Sequence, residues 1–290
     1  MKFVGRFTMK GKTIFLMIIS TLAFAGVNAI IKYLDRFGEF QLVFFRSIVS
    51  LTLSIIQLKF MRISPWGRNK PILFLRGFSG LLALIMGFVL IKNIPLGTAI
   101  TLNYLSPIFT AIIAVFWLKE KIRPIQWGYL VICVFGVWLL KKGEISLTFE
   151  MLLLGLGASG LAGLAYNCVR ICKETDHELV VVFWFPFVST PIALLLVFLF
   201  QEWLWPSSSE WLIILLLGAL TQVAQIALTK ALQQDKAANA TVLKYLGVVH
   251  AFWIGWIFFG EGLSLQSAIG VAIVLSGIIL FGWRKKLKTT

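Results

Sequence analysis

Ten apolar runs dominate this chain, each about 17–23 residues long, which is the helix length needed to cross a hydrocarbon core of about 30 Å. They fall at about 12–34, 40–60, 71–91, 95–117, 124–140, 151–169, 180–200, 211–232, 237–259 and 264–283. Short polar knots divide them, such as RISPWGRNK (62–70) and QEWLWPSS (201–208). Hydrophobic residues make up 59% of the 290 positions and charged ones 13%, against roughly 45–50% and 25% in soluble domains. A soluble protein of this length has too little interior to hide so much apolar surface. Backbone in lipid must satisfy its own hydrogen bonds, so the runs are helices. The expected fold is an all-α integral membrane protein with ten transmembrane helices.

The first run imitates a secretory signal. Lys2, Arg6, Lys10 and Lys12 precede an apolar stretch that passes through Ala23-Phe24-Ala25, the small-residue pattern of a cleavage site. The apolar pattern continues through Asn28 to Ile31, so the segment reads as a retained helix. The net charge of +15 is a topology signal. Sorted by alternate loops, Lys and Arg crowd one side: the N-terminal four, Lys59, Arg62, Arg68 and Lys70, then Lys119, Lys121 and Arg123, then Arg170, Lys173, Lys230 and Lys236, and finally Arg284, Lys285, Lys286 and Lys288. The other side holds Arg36, Lys92, Lys141 and Lys142. The positive-inside rule then puts both termini in the cytoplasm, in a multi-pass protein of the cytoplasmic (inner) membrane. No nucleic-acid-binding motif accompanies the basic residues.

The chain is also written twice. LNYLSPIFTAIIAVFWLKEK (102–121) returns as LKYLGVVHAFWIGWIFFGEG (243–262), each with a Leu-x-Tyr-Leu opening and a closing glutamate, Glu120 or Glu261. Residues 22–50 lie without a gap over 161–189, where Leu22, Ala23, Asn28, Glu39, Val43, Phe44, Val49 and Ser50 meet identical residues. Gly77 likewise meets Gly218, and Ala99 meets Ala240. Helix lengths, loop lengths and identities stay in phase, which predicts two five-helix repeats, residues 1–145 and 146–290. An odd number of spans forces the second repeat to enter from the opposite face. Inverted repeats of this kind are the signature of alternating-access carriers, with a site near the midplane between the halves.

The block RGFSGLLALIMGFVLIKNIPLGTAITLNYLSPIFTAIIAVFWLKEK (76–121) and its echo TKALQQDKAANATVLKYLGVVHAFWIGWIFFGE (229–261), within a five-plus-five arrangement, resemble the EamA branch of the drug/metabolite transporter superfamily over essentially the whole chain. The resemblance implies a bundle whose fourth and ninth helices line a central cavity, and transport of small metabolites such as amino acids, nucleosides, S-adenosylmethionine, carboxylates or vitamins. The block after Leu75 is most similar to the carboxylate and S-adenosylmethionine carriers. A multidrug exporter of lipophilic cations is the alternative within this class. Such a pump normally uses a membrane glutamate, and here all Asp and Glu fall in loops or at helix ends.

Inside the spans the ionisable residues are cations: Arg46 in the second helix, Arg76 in the third, Lys244 in the ninth and Lys32 late in the first. Such residues are costly and mark function. Buried cations without buried anions invite an anionic or zwitterionic ligand, and a guanidinium fork matches a carboxylate bidentately. In the repeat alignment Arg46 faces Phe185, Arg76 faces Leu217, Lys244 faces Asn103 and His250 faces Phe109, so the fold does not require the cations in both halves. Snorkelling to headgroups is open for Arg76 and Lys32, bonding to backbone carbonyls for Arg46, and packing for His250. The candidate substrate-binding set is Arg46, Arg76, Asn103, Tyr104, Lys244, Tyr245, His250 and Asn28, with Gln222, Gln225 and the Ser106-Pro107 step as further polar positions. His250 alone among the membrane residues titrates near neutrality.

Cys133, Cys168 and Cys172 lack companions at metal spacing, and neither a phosphate-binding Gly-x-x-x-x-Gly-Lys motif nor a nucleophile–base pair occurs. No enzyme activity and no cofactor is predicted. The expected partners are a small-molecule substrate and the lipid bilayer, with no nucleic acid, in a monomer or homodimer.

Overall fold

The structure is a computed structural model that describes residues 6–7, 10–93, 102–103, 105–140, 148–247, 250 and 265–284. Its helices, in chain order, are α1 (Gly11–Tyr33), α2 (Glu39–Phe60), α3 (Lys70–Asn93), α4 (Ser106–Phe116), α5 (Pro124–Leu140), α6 (Phe149–Ile171), α7 (Glu178–Phe200), α8 (Ser208–Gln234), α9 (Ala237–Val242) and α10 (Leu265–Gly282). Their bounds follow the apolar runs closely. Helix starts are chemically marked: Thr148 Oγ1 accepts from Met151 N, and Ser207 and Glu210 form a reciprocal capping box at α8, satisfying amides that have no partner in the helix.

Six helices, α1, α2, α3, α6, α7 and α8, are long and apolar enough to cross a bilayer by length and composition, while apolar stretches in α4, α5 and α10 are shorter. The chain is a multi-pass, all-helical membrane protein. Large apolar side chains such as Phe15, Phe60, Phe116, Phe135, Leu195 and Phe198 point outward, which suits a lipid-facing belt and would be ruinous in water. A two-residue strand, Arg6–Phe7, pairs antiparallel with Trp283–Arg284, so the two ends of the bundle's chain lie side by side.

Helices pack in a crossed pattern: α1 on α8, α3 on α6, α2 on α7, α5 on α10 and α4 on both α6 and α9. Small residues set the closest approaches. A Cβ on Gly136 of α5 would lie 2.9 Å from Val274 Cγ2 of α10, and one on Gly277 of α10 would lie 2.5 Å from Cys133 Sγ of α5. Gly77 of α3 lies against Trp184 and Val188 of α7, and Gly218 of α8 against Val49 of α2. Hydrogen bonds between helices are added where lipid offers none. Gln222 of α8 accepts from Ser50 Oγ at 2.6 Å and donates to Gln57 Oε1 at 2.9 Å, and Ser189 Oγ of α7 donates to Ser47 Oγ of α2 at 3.0 Å.

Loops are tied across the bundle at both ends. Asp176, after α6, accepts from Arg68 N and Asn69 N at 2.5 and 3.3 Å, beside Gly67, whose φ of +65° belongs to the region that glycine tolerates best. Between α1 and α2, Arg36 donates to both oxygens of Glu210 and to Trp205 O. Glu120, beyond α4, accepts from Ala237 N at the start of α9 (3.2 Å) and pairs with Arg170 of α6 (3.5 Å).

Candidate functional site

Three separate elements carry the interior cations Arg46, Arg76 and Lys244. Arg46 comes from α2 and Arg76 from α3, and both rest on one ring, Phe185 of α7. Their guanidinium carbons lie 5.7 and 4.7 Å from its centroid. Both arginines are only 4% exposed, so Arg76 does not snorkel. Its Nη2 donates instead to Gln225 Oε1 of α8 at 2.9 Å. Gly80, one turn along α3, leaves the guanidinium its space, because a Cβ there would come within 3.1 Å of Arg76 Nη1.

Arg46 is the exception to the rule that buried charges are paired. Its Nε is buried without a partner, as is the Nε of Arg76, and among the described residues Arg46 makes no hydrogen bond or ion pair with the protein. The backbone-carbonyl bonds open to it on sequence grounds are not made. Ring distances of 5.7 and 4.7 Å to the shared Phe185 hold the two guanidinium carbons within about 10 Å. At an effective dielectric of about 20 they repel by roughly 1–2 kcal/mol.

Lys244 arrives on the short 3-10 turn Leu243–Tyr245 that continues α9. Its Nζ donates to Ser106 Oγ of α4 at 2.8 Å and to Tyr166 Oη of α6 at 2.9 Å, and it lies 4.7 Å from the centre of the Tyr166 ring. Ser106 in turn donates its hydroxyl hydrogen to Asn103 O at 2.8 Å, which leaves its lone pairs for the ammonium. Tyr166 belongs to α6, which packs on α3, the helix that carries Arg76. Among the described residues no carboxylate pairs with any of the three cations.

The remaining predicted residues sit less centrally. Asn103 is half-buried next to Gly87, where a Cβ would meet its Nδ2 at 3.5 Å. Tyr245 is fully buried within the larger core cluster. His250 is half-buried against the Thr21 backbone of α1, with Nδ1 buried and unpartnered. Asn28 is half-buried in α1, and no hydrogen bond joins it or His250 to the cation cluster among the described residues. Tyr104 lies outside the described residues. Pro107 occupies the first turn of α4, where a missing N–H costs nothing. The step opens α4 directly after the helical residues 102–103 and a turn at Leu105.

Two members of the cluster escaped the sequence reading, Tyr166 and Phe185. A signal for Phe185 was present, since it is the repeat counterpart of Arg46. Chemically, the cluster is equipped to hold an anion by charge and directed N–H groups. Among the described residues no group of His, Cys, Asp or Glu is arranged to hold a metal.

A sequence model of the EamA-like transporter family matches the chain twice, at residues 11–141 and 150–283. The chain is 28% identical over 276 residues to the pseudopaline exporter of Pseudomonas aeruginosa, covering 94% of this chain and 96% of that one. It is 27% identical over 281 residues to the S-adenosylmethionine uptake transporter of Rickettsia conorii, covering 93% and 92%. It is 23% identical over 293 residues to mouse solute carrier family 35 member G1, covering 94% and 79%. A solved crystal structure superposes with a TM-score of 0.81 at 18% identity, over 93% of this chain and 96% of the other, which speaks for the fold. With the family model matching twice across the bundle and the relatives above being transporters over nearly the whole chain, the chain belongs to the EamA-like transporter family and is a small-molecule transporter, not an enzyme.

Proposed function

We propose that this protein is a secondary transporter that carries a small carboxylate-bearing metabolite across the cytoplasmic membrane by alternating access, with both termini in the cytoplasm. The observation that carries the reading is Arg46, a buried guanidinium whose Nε has no partner and which no described residue pairs. A carboxylate supplies what it lacks, and Lys244 is the second residue that holds the ligand. Asn103, Tyr104 and Tyr245 shape the pocket around them. A lipophilic cation would meet three positive charges and no described carboxylate, which disfavours a multidrug exporter.

Alternating access rests on two inverted halves, residues 1–145 and 146–290, of five membrane-spanning helices each. The packing pattern supports this. Exchanging each helix for its counterpart five positions away maps α1–α8 onto α6–α3 and leaves α2–α7, α4–α9 and α5–α10 unchanged as pairs. The close contacts obey the same exchange. Gly136 against Val274 becomes Gly277 against Cys133, and Gly77 against Val188 becomes Gly218 against Val49. Arg46 touches its own counterpart Phe185, as residues next to a two-fold axis must. At about 1.5 Å per residue, Glu39 to Arg46 and Glu178 to Phe185 each span about 10 Å of depth. With the halves inverted, the pair then straddles the middle of a core of about 30 Å. The adjacent chain ends fit an even number of spans.

The test is a ligand-induced thermal-shift screen of the purified protein in detergent, with amino acids, S-adenosylmethionine, di- and tricarboxylates and nucleosides. Specific binding raises stability by mass action. Carboxylate compounds are expected to raise the apparent Tm of the wild type, and Arg46→Ala and Lys244→Ala to abolish the rise. A rise with lipophilic cations only, or an undiminished carboxylate response in both variants, would refute the proposal.

A further inference from the structure

Resting on the carboxylate reading of this site, we infer that the substrate carries two or more carboxylates, one for the arginine pair and one for Lys244. The cluster has two separate places for negative charge. In the first, Arg46 and Arg76 share the Phe185 ring, and each keeps a buried Nε with no partner. A guanidinium offers five N–H donors, and Gln225 accepts from Nη2 of Arg76. The second place is the ammonium of Lys244. It has three N–H donors, two of which are directed at Ser106 Oγ and Tyr166 Oη, and both acceptors are neutral. One donor and the whole positive charge remain to be answered.

Tyr166 ties the second place to α6. Its hydroxyl accepts from the lysine, and α6 packs on α3, the helix that carries Arg76. One carboxylate can meet the arginine pair bidentately but leaves Lys244 with hydroxyls alone. Among the described residues the acidic side chains sit at helix ends and in the connecting loops, Asp35, Glu39, Glu120, Glu150, Glu174, Asp176, Glu178, Glu202, Glu210 and Asp235, so none of the described residues provides an internal counter-charge. A zwitterion that brings its own cation, as an amino acid with a sulfonium does, adds to the excess. A dicarboxylate cuts it to a single charge and a tricarboxylate removes it. The charge count therefore selects among the classes the fold can accept.

The probe pair is succinate and its monoamide succinamate, equal in shape and different by one charge, with propane-1,2,3-tricarboxylate as a third ligand. Dissociation constants are measured calorimetrically on the full chain in detergent. Succinate is expected to bind about tenfold or more tightly than succinamate, and the tricarboxylate at least as tightly as succinate. In Lys244→Gln the succinate-to-succinamate ratio falls to about one, and Tyr166→Phe, which preserves the ring's packing, lowers it in the same direction. Equal affinity for succinate and succinamate in the wild type would overturn the two-carboxylate inference and leave the carboxylate reading standing. A ratio unchanged in both variants would overturn the assignment of the second place to Lys244. Failure of all three ligands to bind would overturn the carboxylate reading itself.

Discussion

Replacing Arg46 by methionine should make the empty protein more stable and useless as a carrier of carboxylates. A buried guanidinium with a buried, unpaired Nε forgoes hydration without recovering it in hydrogen bonds. The compensations are a ring contact at 5.7 Å from the Phe185 centroid, worth about 0.5–2 kcal/mol, and the burial of its methylenes, which methionine retains. Against these stand the residual desolvation penalty, several kcal/mol for an unpaired ion, and the repulsion from Arg76. Swapping buried ionic groups for apolar ones of similar volume stabilises by about 1–4 kcal/mol, and here no partner is orphaned by the swap. Taking about 1–3 kcal/mol, and about 2–4 °C per kcal/mol for a chain of this order of size, the apparent Tm without ligand rises by roughly 2–12 °C. Arg76→Met gains less, because it strands the Oε1 of Gln225, which now accepts from Arg76 at 2.9 Å. The assay is thermal unfolding in detergent at one scan rate, with and without a dicarboxylate. A fall in Tm for ligand-free Arg46→Met, together with an intact dicarboxylate-induced shift, would show that the arginine is a structural strut and refute the reasoning.

Two further outcomes test the scaffold. Gly218→Ala drives a methyl into Val49 and should cost about 1–3 kcal/mol as overpacking does; Val49→Ala should restore most of it, whereas Val188→Ala should rescue Gly77→Ala poorly because that methyl also meets the Trp184 backbone oxygen at 2.9 Å, all read by thermal unfolding. In a chain freed of its native cysteines, Arg36→Cys should react with a membrane-impermeant maleimide added outside intact cells and Arg62→Cys only after lysis. The reverse pattern would turn the proposed topology over.

Much of the bundle was legible because a helix in lipid has one overriding requirement, an apolar run of sufficient length. The runs 124–140 and 180–200 thus became Pro124–Leu140 and Glu178–Phe200 with little displacement, and Ser207, Thr148 and Pro124 sharpened their starts. Part of the fourth run, 95–101 and 104, lies outside the described residues, and α4 accounts for its second half. Of the site, the charged members were conspicuous because charge is rare at that depth. Whether Arg76 snorkelled or bonded inward depended on Gln225, a residue about 150 positions away along the chain, and no local pattern encodes that approach. Tyr166 was invisible for a related reason, since an aromatic residue in an apolar helix looks the same whether it faces lipid or a lysine.

Phe185 shows how the duplication could have been used further. Residues that align across an inverted repeat and lie near its axis must face one another, and Arg46 and Phe185 do so, as do Cys133 and Val274, with Sγ 3.8 Å from the backbone oxygen. The alignment is therefore a list of candidate contacts as well as evidence for duplication. It also separates scaffold from chemistry. Where both copies keep glycine, as at Gly77 and Gly218 or Gly136 and Gly277, the residue serves packing that each half needs. Where one copy has a cation and the other an apolar or amide side chain, as at Arg46 with Phe185, Arg76 with Leu217 and Lys244 with Asn103, packing does not demand the charge. On the proposed alternating-access reading, a two-fold frame rocks between two states of similar energy, while the substrate it carries has no such symmetry. The asymmetric residues are the ones free to fit it, and in this chain they are the cations.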